Sequence, residues 1–277
     1  MEKVSNIIPY YIKQLNGIVQ EREIISLAYI SIDFLLGYNR SDCIIHSDKD
    51  ITSEVSDRIK QIIADLKTNK PIQHIIGETE FYELKFKVNE HTLIPRPETE
   101  ELVKWILQHE FTSALDIGTG SGCIAIALRK NKSAEISAID VSESALLVAK
   151  ENAKINEVEI NFLLQDILKT TALPKVDVIV SNPPYVLDKE KELMLANVLD
   201  NEPHLALFVP NNNPLLFYKK IATLAFTSLS KNGLLFFEIN ERFSKETVAM
   251  LSAIGFVDIE LKKDINEKDR MLKAIKN

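Results

Sequence analysis

A polar amide, two prolines and a tyrosine follow an apolar run in the segment "VDVIVSNPPYV". The side-chain oxygen of Asn182 and the backbone carbonyl of Pro183 can accept two hydrogen bonds from one planar amine or amide. Holding both hydrogens of such a nitrogen leaves its electron density directed at an electrophile. The prolines fix the direction of the carbonyl, because neither can rotate φ or donate a hydrogen bond. The spacing therefore predicts a site that makes a conjugated nitrogen nucleophilic by positioning it.

Pro184 and Tyr185 complete this segment. The tyrosine ring, which we expect to be exposed, offers a face on which a flat base or amide group can stack. An ordinary turn with a surface tyrosine is the alternative interpretation of Asn-Pro-Pro taken alone. The rest of the sequence must decide between the two.

A glycine loop, "LDIGTGSGC", joins a predicted strand to a predicted helix upstream of that segment. Gly118, Gly120 and Gly122 let the backbone turn tightly and approach a ligand without clashes from Cβ atoms. The helix that follows offers free N–H groups and a positive dipole end. The dinucleotide fingerprint would need its third glycine where Cys123 stands, which disfavours a nicotinamide or flavin cofactor. The tighter spacing resembles the loop of class I S-adenosylmethionine (SAM) methyltransferases.

Three acidic residues lie at the ends of consecutive predicted strands. Asp116 precedes the loop and is placed to hold the ammonium group of such a cofactor through water. Asp140 lies about 20 residues past the loop, where an acid meets ribose hydroxyls in this architecture. Asp166 ends the third strand, and Ile167 behind it is placed to lie against an adenine. Each acid alone can be a helix cap, but the repeated pattern favours a nucleoside ligand.

Alternating strands and helices are predicted to carry these residues. After Glu98, helical stretches at 121–131 and 142–156 separate the short apolar runs "SALDIG", "EISAID", "INFLLQD" and "VDVIVSN". This alternation predicts an α/β protein whose mostly parallel sheet is covered on both faces and binds ligands at the carboxyl ends of its strands. Three closely spaced runs near the C-terminus predict a last strand that is antiparallel.

The first 72 residues predict a small helical bundle. One helix has an apolar face at positions 59, 62, 63 and 66, a cap at Thr52 or Ser53, and a stop at Pro71. Two further helices are predicted upstream, over residues 4–16 and over "EREIISLAYISIDFLLG", which ends at Gly37.

A connector with a β-hairpin is predicted between the bundle and the sheet. Phe81, Leu84, Phe86 and Val88 indicate a strand pair, with a turn near Asn89-Glu90. We therefore divide the chain into a helical domain at 1–72, a connector at 73–97 and an α/β domain at 98–277.

The composition is that of an ordinary globular protein, with 277 residues of which 45% are hydrophobic and 26% charged. The formal net charge of −7 opposes broad affinity for phosphate backbones. Cys43 and Cys123 lie far apart and predict neither a disulfide framework nor a metal site. No segment resembles a signal peptide, and no apolar run approaches the roughly 20 residues that span a bilayer. We expect a cytoplasmic protein without a membrane partner.

Longer segments add a specific resemblance. The stretch "PIQHIIGETEFYELKFKVNEHTLIPRPETEELV" is similar to the connector of the release-factor glutamine methyltransferases (the PrmC/HemK family), and "NEPHLALFVP" and "DRMLKAI" also look like family segments. The resemblance implies a Rossmann-like, seven-stranded class I methyltransferase sheet with an N-terminal helical domain. It also implies methyl transfer from SAM, leaving S-adenosylhomocysteine, to the side-chain N5 of the glutamine in the Gly-Gly-Gln motif of peptide chain release factors 1 and 2.

The resemblance also assigns roles to residues. Asn182, Pro183 and Tyr185 would be catalytic, and with Pro184 they would hold the glutamine amide. SAM would contact Gly118, Thr119, Gly120, Ser121, Gly122, Asp140, Asp166, Ile167 and Asn182. The N-terminal domain would grip the release factor. Two departures from the family pattern are Ile167, where relatives can place an aromatic residue, and the surface segment "VPNNNPLLFY".

Two other functions fit parts of this sequence. An RNA or DNA methyltransferase acting on an exocyclic base amine would use the same Asn-Pro-Pro-Tyr site, but the chain is acidic and its helical domain lacks clusters of Lys and Arg. A noncatalytic SAM-binding sensor would not need Asn182 and Tyr185, and both are present. We therefore expect an enzyme that is a monomer and does not bind nucleic acid directly.

Overall fold

The computed structural model of the protein describes residues 2–194 and 196–277, which form two compact units. The first unit comprises the chain up to Gly77 together with residues 196–201, and the second comprises residues 78–194 and 202–277. The hairpin predicted in the connector lies in the second unit.

The described helices and strands are as follows in chain order. The helices are α1 Ile7–Leu15, α2 Glu21–Leu36, α3 Arg40–Ile45, α4 Ser53–Leu66, α5 Ile72–Ile76, α6 Pro97–Ile106, α7 Cys123–Asn131, α8 Glu143–Ile155, α9 Ala196–Leu199, α10 His204–Leu207, α11 Leu216–Ser228 and α12 Ser244–Ile254. The strands are β1 Glu78–Phe81, β2 Leu84–Lys87, β3 Ser113–Ile117, β4 Glu135–Asp140, β5 Asn161–Leu164, β6 Val176–Ser181, β7 Val186–Leu187, β8 Phe208–Val209, β9 Leu229–Glu238, β10 Phe256–Lys263 and β11 Asp269–Lys276.

The first unit is helical, as the apolar periodicity predicts. Gly37 ends α2 with a left-handed φ of 66°, and the Thr52 side chain accepts a hydrogen bond from the Val55 N–H at the start of α4. The predicted stop at Pro71 is wrong in detail, because α4 already ends at Leu66 and Pro71 instead precedes α5. Apolar side chains of α1, α2, α4 and α5 form one buried cluster.

The hairpin of β1 and β2 turns at Tyr82 and Glu83, so the predicted turn at Asn89-Glu90 is wrong. Both turn residues have left-handed φ values, 52° and 61°. Such two-residue turns usually carry asparagine or glycine, so the sequence gives no local sign of this one. Glu100 supports it from α6, since its carboxylate accepts the Tyr82 N–H at 2.8 Å.

The described strands of the second unit include a seven-stranded sheet in the order β10-β11-β9-β6-β3-β4-β5. β11 is antiparallel to both of its neighbours, and the other pairs are parallel. The α/β fold class and the antiparallel last strand are therefore confirmed. From β3 the chain runs outward through β4 to β5, and it then returns to the other side of β3, where β6 and β9 lie. The strand order therefore reverses at β3. Ligands bind at such a reversal in open α/β sheets.

Helices cover this sheet on both faces. Ala114 of β3 belongs to a buried cluster that includes side chains of α6 and α7. Its neighbour Leu115 belongs to a second cluster that includes side chains of α11. Alternate residues of one strand therefore enter two cores, as expected for a sheet buried on both sides. No helix of the described residues is long and apolar enough to cross a membrane.

Candidate active site

A cavity of about 260 Å³ opens in the second unit at the carboxyl ends of the parallel strands. The site residues predicted from the sequence that line it are Gly118, Thr119, Gly120, Ser121, Asp140, Asp166, Ile167, Asn182, Pro183 and Pro184. Pro95 and Arg96 of the connector and Thr99 of α6 also line the cavity. The fold therefore brings the glycine loop and the Asn-Pro-Pro segment to one place, although about 60 residues separate them.

The glycine loop between β3 and α7 has a left-handed backbone at all three glycines, with φ values of 76°, 55° and 82°. The Gly118 N–H donates to the carbonyl of Ile139 at 2.9 Å, which ties the loop to the end of β4. A Cβ atom at Gly118 or Gly120 would meet nothing within 4 Å, whereas one at Gly122 would lie 3.2 Å from the Cβ of Ala149. The first two glycines therefore leave room for a ligand, and the third permits close packing of α7 against α8.

Asp116, at the base of the loop, is a buried carboxylic acid. Its Oδ2 accepts a hydrogen bond from the Thr119 hydroxyl at 2.6 Å. Its Oδ1 is buried and has no hydrogen-bond partner among the described residues. Burial raises the pKa of Asp116 to about 7, against the opposing effect of the Thr119 hydrogen bond. A positively charged donor beside Oδ1 would satisfy this group.

Asp140 organises the loop at the end of β4. Its two carboxylate oxygens accept the N–H groups of Gly120 at 2.8 Å and Ser142 at 2.9 Å. Burial raises the pKa of Asp140, and these hydrogen bonds oppose the rise. Each carboxylate oxygen has a further lone pair, so Asp140 can still accept hydrogen bonds from hydroxyl groups in the cavity.

Asp166 lies in the loop after β5, because the strand already ends at Leu164. Its Oδ1 accepts the Leu168 N–H at 2.9 Å. Partial burial acts to raise the pKa of Asp166, but the Lys169 ammonium and the neighbouring N–H groups together hold it below its ordinary value. Ile167, the residue between Asp166 and Leu168, is buried and lines the cavity.

Asn182 follows the last residue of β6. Ser181, the last residue of β6, is hydrogen-bonded to β3, since its hydroxyl donates to the Ile117 carbonyl at 2.6 Å. The Asn182 Nδ2 group donates to the hydroxyl oxygen of Thr99, at 3.4 Å. The amide nitrogen of Asn182 is thus directed at α6, which leaves its oxygen available to a ligand in the cavity.

Tyr185 is not the exposed ring that the sequence suggests, so that expectation is wrong. Its ring packs against the buried cluster that includes side chains of α11, and its hydroxyl donates to Glu238 Oε1 at 3.0 Å. Burial raises the pKa of this phenol above its ordinary value, with a further contribution from the Glu238 carboxylate. Tyr185, Gly122 and Asp116 lie next to cavity residues in the chain but are not among those that line the cavity.

Two buried carboxylates near the cavity were not predicted from the sequence. Glu238, the last residue of β9, accepts hydrogen bonds from Thr99 and Tyr185. Glu202 accepts one from the Arg96 guanidinium at 2.5 Å and another from the Ile94 N–H at 3.3 Å. A single acid at the end of the apolar run "GLLFFE" is a signal that points to Glu238, since buried charges need partners. No cluster of the described residues has the composition of a metal site.

Comparison with solved structures identifies the class of this fold. A methyltransferase from Pyrococcus furiosus superposes with a TM-score of 0.56 and 19% sequence identity, over 82% of this chain and 100% of that one. The seven-stranded sheet and the glycine loop at its strand ends are accordingly those of the methyltransferase fold. The family model described as "Methyltransferase small domain" matches residues 97–207, and that described as "PrmC N-terminal domain" matches residues 13–77.

Comparison with related sequences identifies the family. The release factor glutamine methyltransferase of Flavobacterium psychrophilum is 47% identical over 280 residues, which cover 98% of each chain. The enzyme of the same name from Bacteroides thetaiotaomicron is 41% identical over 275 residues, 97% of this chain and 99% of its own. The chain belongs to the release factor glutamine methyltransferase family, and the resemblance inferred from its motifs is confirmed.

Proposed function

We propose that this chain transfers a methyl group from SAM to the side-chain N5 of the glutamine in the Gly-Gly-Gln motif of peptide chain release factors 1 and 2. The observation that carries the proposal is that Asn182 and Pro183 line the same cavity as the glycine loop and Asp140. Acceptors for a planar amide and a loop suited to the methyl donor thus face one space.

The glycine loop fits the amino-acid part of SAM. The open space at Gly118 and Gly120 allows a ligand to lie against the backbone. The unpartnered Oδ1 of Asp116 suits an ammonium group, which would reach it through water because Asp116 does not itself line the cavity. Thr119, Ser121 and Gly122 complete the loop in this assignment.

The nucleoside part of SAM suits the other side of the cavity. Asp140 would accept hydrogen bonds from ribose hydroxyls, and Asp166 and Ile167 would lie at the adenine. When bound, SAM supplies a methyl group on a positively charged sulfur. The residues of the chain then have to place a nitrogen in line with that methyl group.

Asn182 and Pro183 perform that placement in the proposed reaction. The lone pair of a glutamine amide nitrogen is delocalised into its carbonyl group and attacks poorly. The Asn182 Oδ1 and the Pro183 carbonyl would each accept one hydrogen of this nitrogen, which orients it and strengthens it as a nucleophile. Alignment of reacting groups can supply about 7–11 kcal/mol, so no strong base is required before the attack. The methylated nitrogen would then release one of its two hydrogens to water as a proton. Pro184 would complete the contact with the amide, and Tyr185 would support the segment from outside the cavity lining.

The division of labour between domains is part of the proposal. Residues 1–72 would bind the release factor, and residues 73–97 would connect this domain to the next. Residues 98–277 would bind SAM and catalyse the transfer. The match of residues 13–77 to the PrmC N-terminal domain supports a dedicated role for this region. We further propose that the enzyme acts as a cytoplasmic monomer without binding nucleic acid directly.

Methyl transfer to two substrates in parallel tests the function. Purified enzyme is incubated with labelled SAM and either intact release factor or bulk RNA, and a release factor with Gln→Ala in its Gly-Gly-Gln motif is the control. We expect label in the intact factor and none in the control or the RNA. Label in the RNA instead would overturn the substrate assignment and favour a base-amine methyltransferase.

The pKa of Asp116 predicts how SAM binding depends on pH. An ammonium group favours the ionised carboxylate, so affinity should rise with pH through about 7 and level off about one pH unit above it. One unit below that pKa the ionised fraction, and with it the association constant, falls about tenfold. Titration calorimetry at pH 6 and pH 8 measures the change. Asp116→Asn should bind weakly at both values and abolish the difference.

Asp177→Asn is the matched control for this pH dependence. Asp177 lies near the amino end of β6, away from the cavity, where Thr112 hydrogen bonds lower its pKa. This variant should keep the wild-type difference between pH 6 and pH 8. An equal pH dependence in wild type and Asp116→Asn would contradict the assignment of Asp116.

A further inference from the structure

One buried carboxylate lies between the two ends of the Asn-Pro-Pro-Tyr segment. The Glu238 Oε2 accepts a hydrogen bond from the Thr99 hydroxyl at 2.7 Å, and its Oε1 accepts one from the Tyr185 hydroxyl at 3.0 Å. The exposure of Glu238 is 2%, so these groups, and not water, satisfy it. Glu238 has no chemical role in the proposed transfer, so its role must lie in the groups that it binds.

The carboxylate determines the direction of the hydrogen bonds around it. Burial raises the pKa of Glu238, and the hydrogen bonds from Thr99 and Tyr185 oppose the rise. In its ionised form the carboxylate can only accept, and the Thr99 hydroxyl then points its proton at Glu238. The Thr99 oxygen is then an acceptor toward its other neighbour, the Asn182 Nδ2 group. The two ends of an asparagine amide have nearly the same shape, and hydrogen-bond partners decide which way it faces. Here they direct the nitrogen at Thr99 and the oxygen at the cavity.

The same carboxylate also holds the far end of the segment. Tyr185 is bound through its hydroxyl to Glu238 and through its backbone carbonyl to the Asn240 Nδ2 group, at 3.0 Å. The backbone carbonyl of Glu238 accepts a hydrogen bond from the Tyr218 hydroxyl at 3.3 Å. β9 and the residues that follow it therefore hold the carboxylate and the tyrosine in one frame.

We propose that Thr99 and Glu238 are positioning residues that orient the Asn182 amide so that its oxygen, and not its nitrogen, faces the substrate nitrogen. This inference rests on the proposed function and extends it by two residues. Without the Thr99 acceptor, the Asn182 amide can turn over and present a donor to a substrate that itself has hydrogens to donate. The consequence is a slower chemical step and not a loss of SAM affinity.

Three threonine variants isolate the hydroxyl group. Thr99→Val keeps the shape and removes the hydrogen bonds, Thr99→Ser keeps the hydroxyl, and Thr247→Val is the matched control. Thr247 is also fully buried, and among the described residues its hydroxyl bonds the carbonyl of Phe243, the residue before α12. We expect Thr99→Val to lower kcat for release factor by about 10–100-fold, the same order as the loss found when a hydrogen-bond partner behind a metal-binding side chain is removed. Its KM should change little, Thr99→Ser should restore most of kcat, and Thr247→Val should match wild type.

A second measurement reports on the amide itself. The side-chain NH₂ signals of Asn182 in nitrogen-15-labelled protein without ligands are identified by their absence from the Asn182→Ala spectrum. They should shift in Thr99→Val and in Glu238→Gln, which exchanges a pure acceptor for a group that also donates. They should stay in place in Thr247→Val. Thermal unfolding of each variant shows whether the fold is intact.

The two measurements separate this inference from the proposed function. If wild type fails to methylate release factor, the proposed function fails, and the amide signals still test the orientation of Asn182. Unchanged Asn182 signals in a folded Thr99→Val protein would overturn the inference. So would a Thr99→Ser enzyme as slow as Thr99→Val, because the methyl group and not the hydroxyl would then be responsible.

Discussion

Asn182→Ala is expected to lower kcat for methyl transfer to release factor by about 10²–10³-fold, the loss that follows removal of one preorganised hydrogen-bonding group at a reacting atom. The variant loses the side-chain oxygen that would accept one hydrogen of the glutamine amide. The Pro183 carbonyl alone cannot fix the orientation of that nitrogen. The loop of residues 118–122 and Asp140 do not depend on the Asn182 side chain, so SAM affinity should remain largely intact.

The prediction requires kcat and SAM affinity to be measured on the same preparations. Single-turnover transfer of label to release factor gives the rate, and calorimetry gives the dissociation constant. Asn212→Ala, at an exposed position outside the cavity lining, is the control and should behave as wild type. If Asn182→Ala kept full activity, the account of amide activation would be wrong. If SAM binding were lost together with activity, the main role of Asn182 would be to bind SAM.

Gly122→Ala is expected to destabilise the protein by about 2–5 kcal/mol, from a left-handed backbone at about 1–2 kcal/mol and overpacking at about 1–3 kcal/mol. The added Cβ would lie 3.0 Å from the Ile126 Cδ1 atom and 3.2 Å from the Ala149 Cβ atom. Ile126 can rotate away, but Ala149 belongs to α8 and moves only with that helix.

Gly120→Ala is the matched control because it has a φ of 55° and meets nothing within 4 Å. It should cost only the backbone contribution of about 1–2 kcal/mol. Its methyl group enters the space assigned to SAM, so it should weaken SAM binding more than Gly122→Ala does. Urea unfolding measures the first effect and calorimetry the second. Equal destabilisation by the two substitutions would contradict a packing role for Gly122.

Local signals account for most of the fold that was predicted. Gly37 ends α2 and Thr52 caps α4 because both act through their own backbone neighbours. The strands β3, β4, β5 and β6 follow from apolar runs whose burial needs no particular partner. The hairpin turn at Tyr82 and Glu83 was missed because neither residue prefers a left-handed backbone. Pairing of β1 with β2 and the Glu100 carboxylate hold it there.

The amino-acid sequence by itself determined the α/β class, the glycine loop, the acids at or just after the strand ends and the Asn-Pro-Pro-Tyr segment, because each depends on residues close together in the chain. Only the tertiary structure decided that Tyr185 is turned inward and that Glu238 joins it to Thr99. Those contacts link residues 53 and 139 positions apart. A hydrogen bond between distant residues depends on how the helices and strands pack. The direction in which Asn182 faces is therefore a property of the fold and not of its own segment.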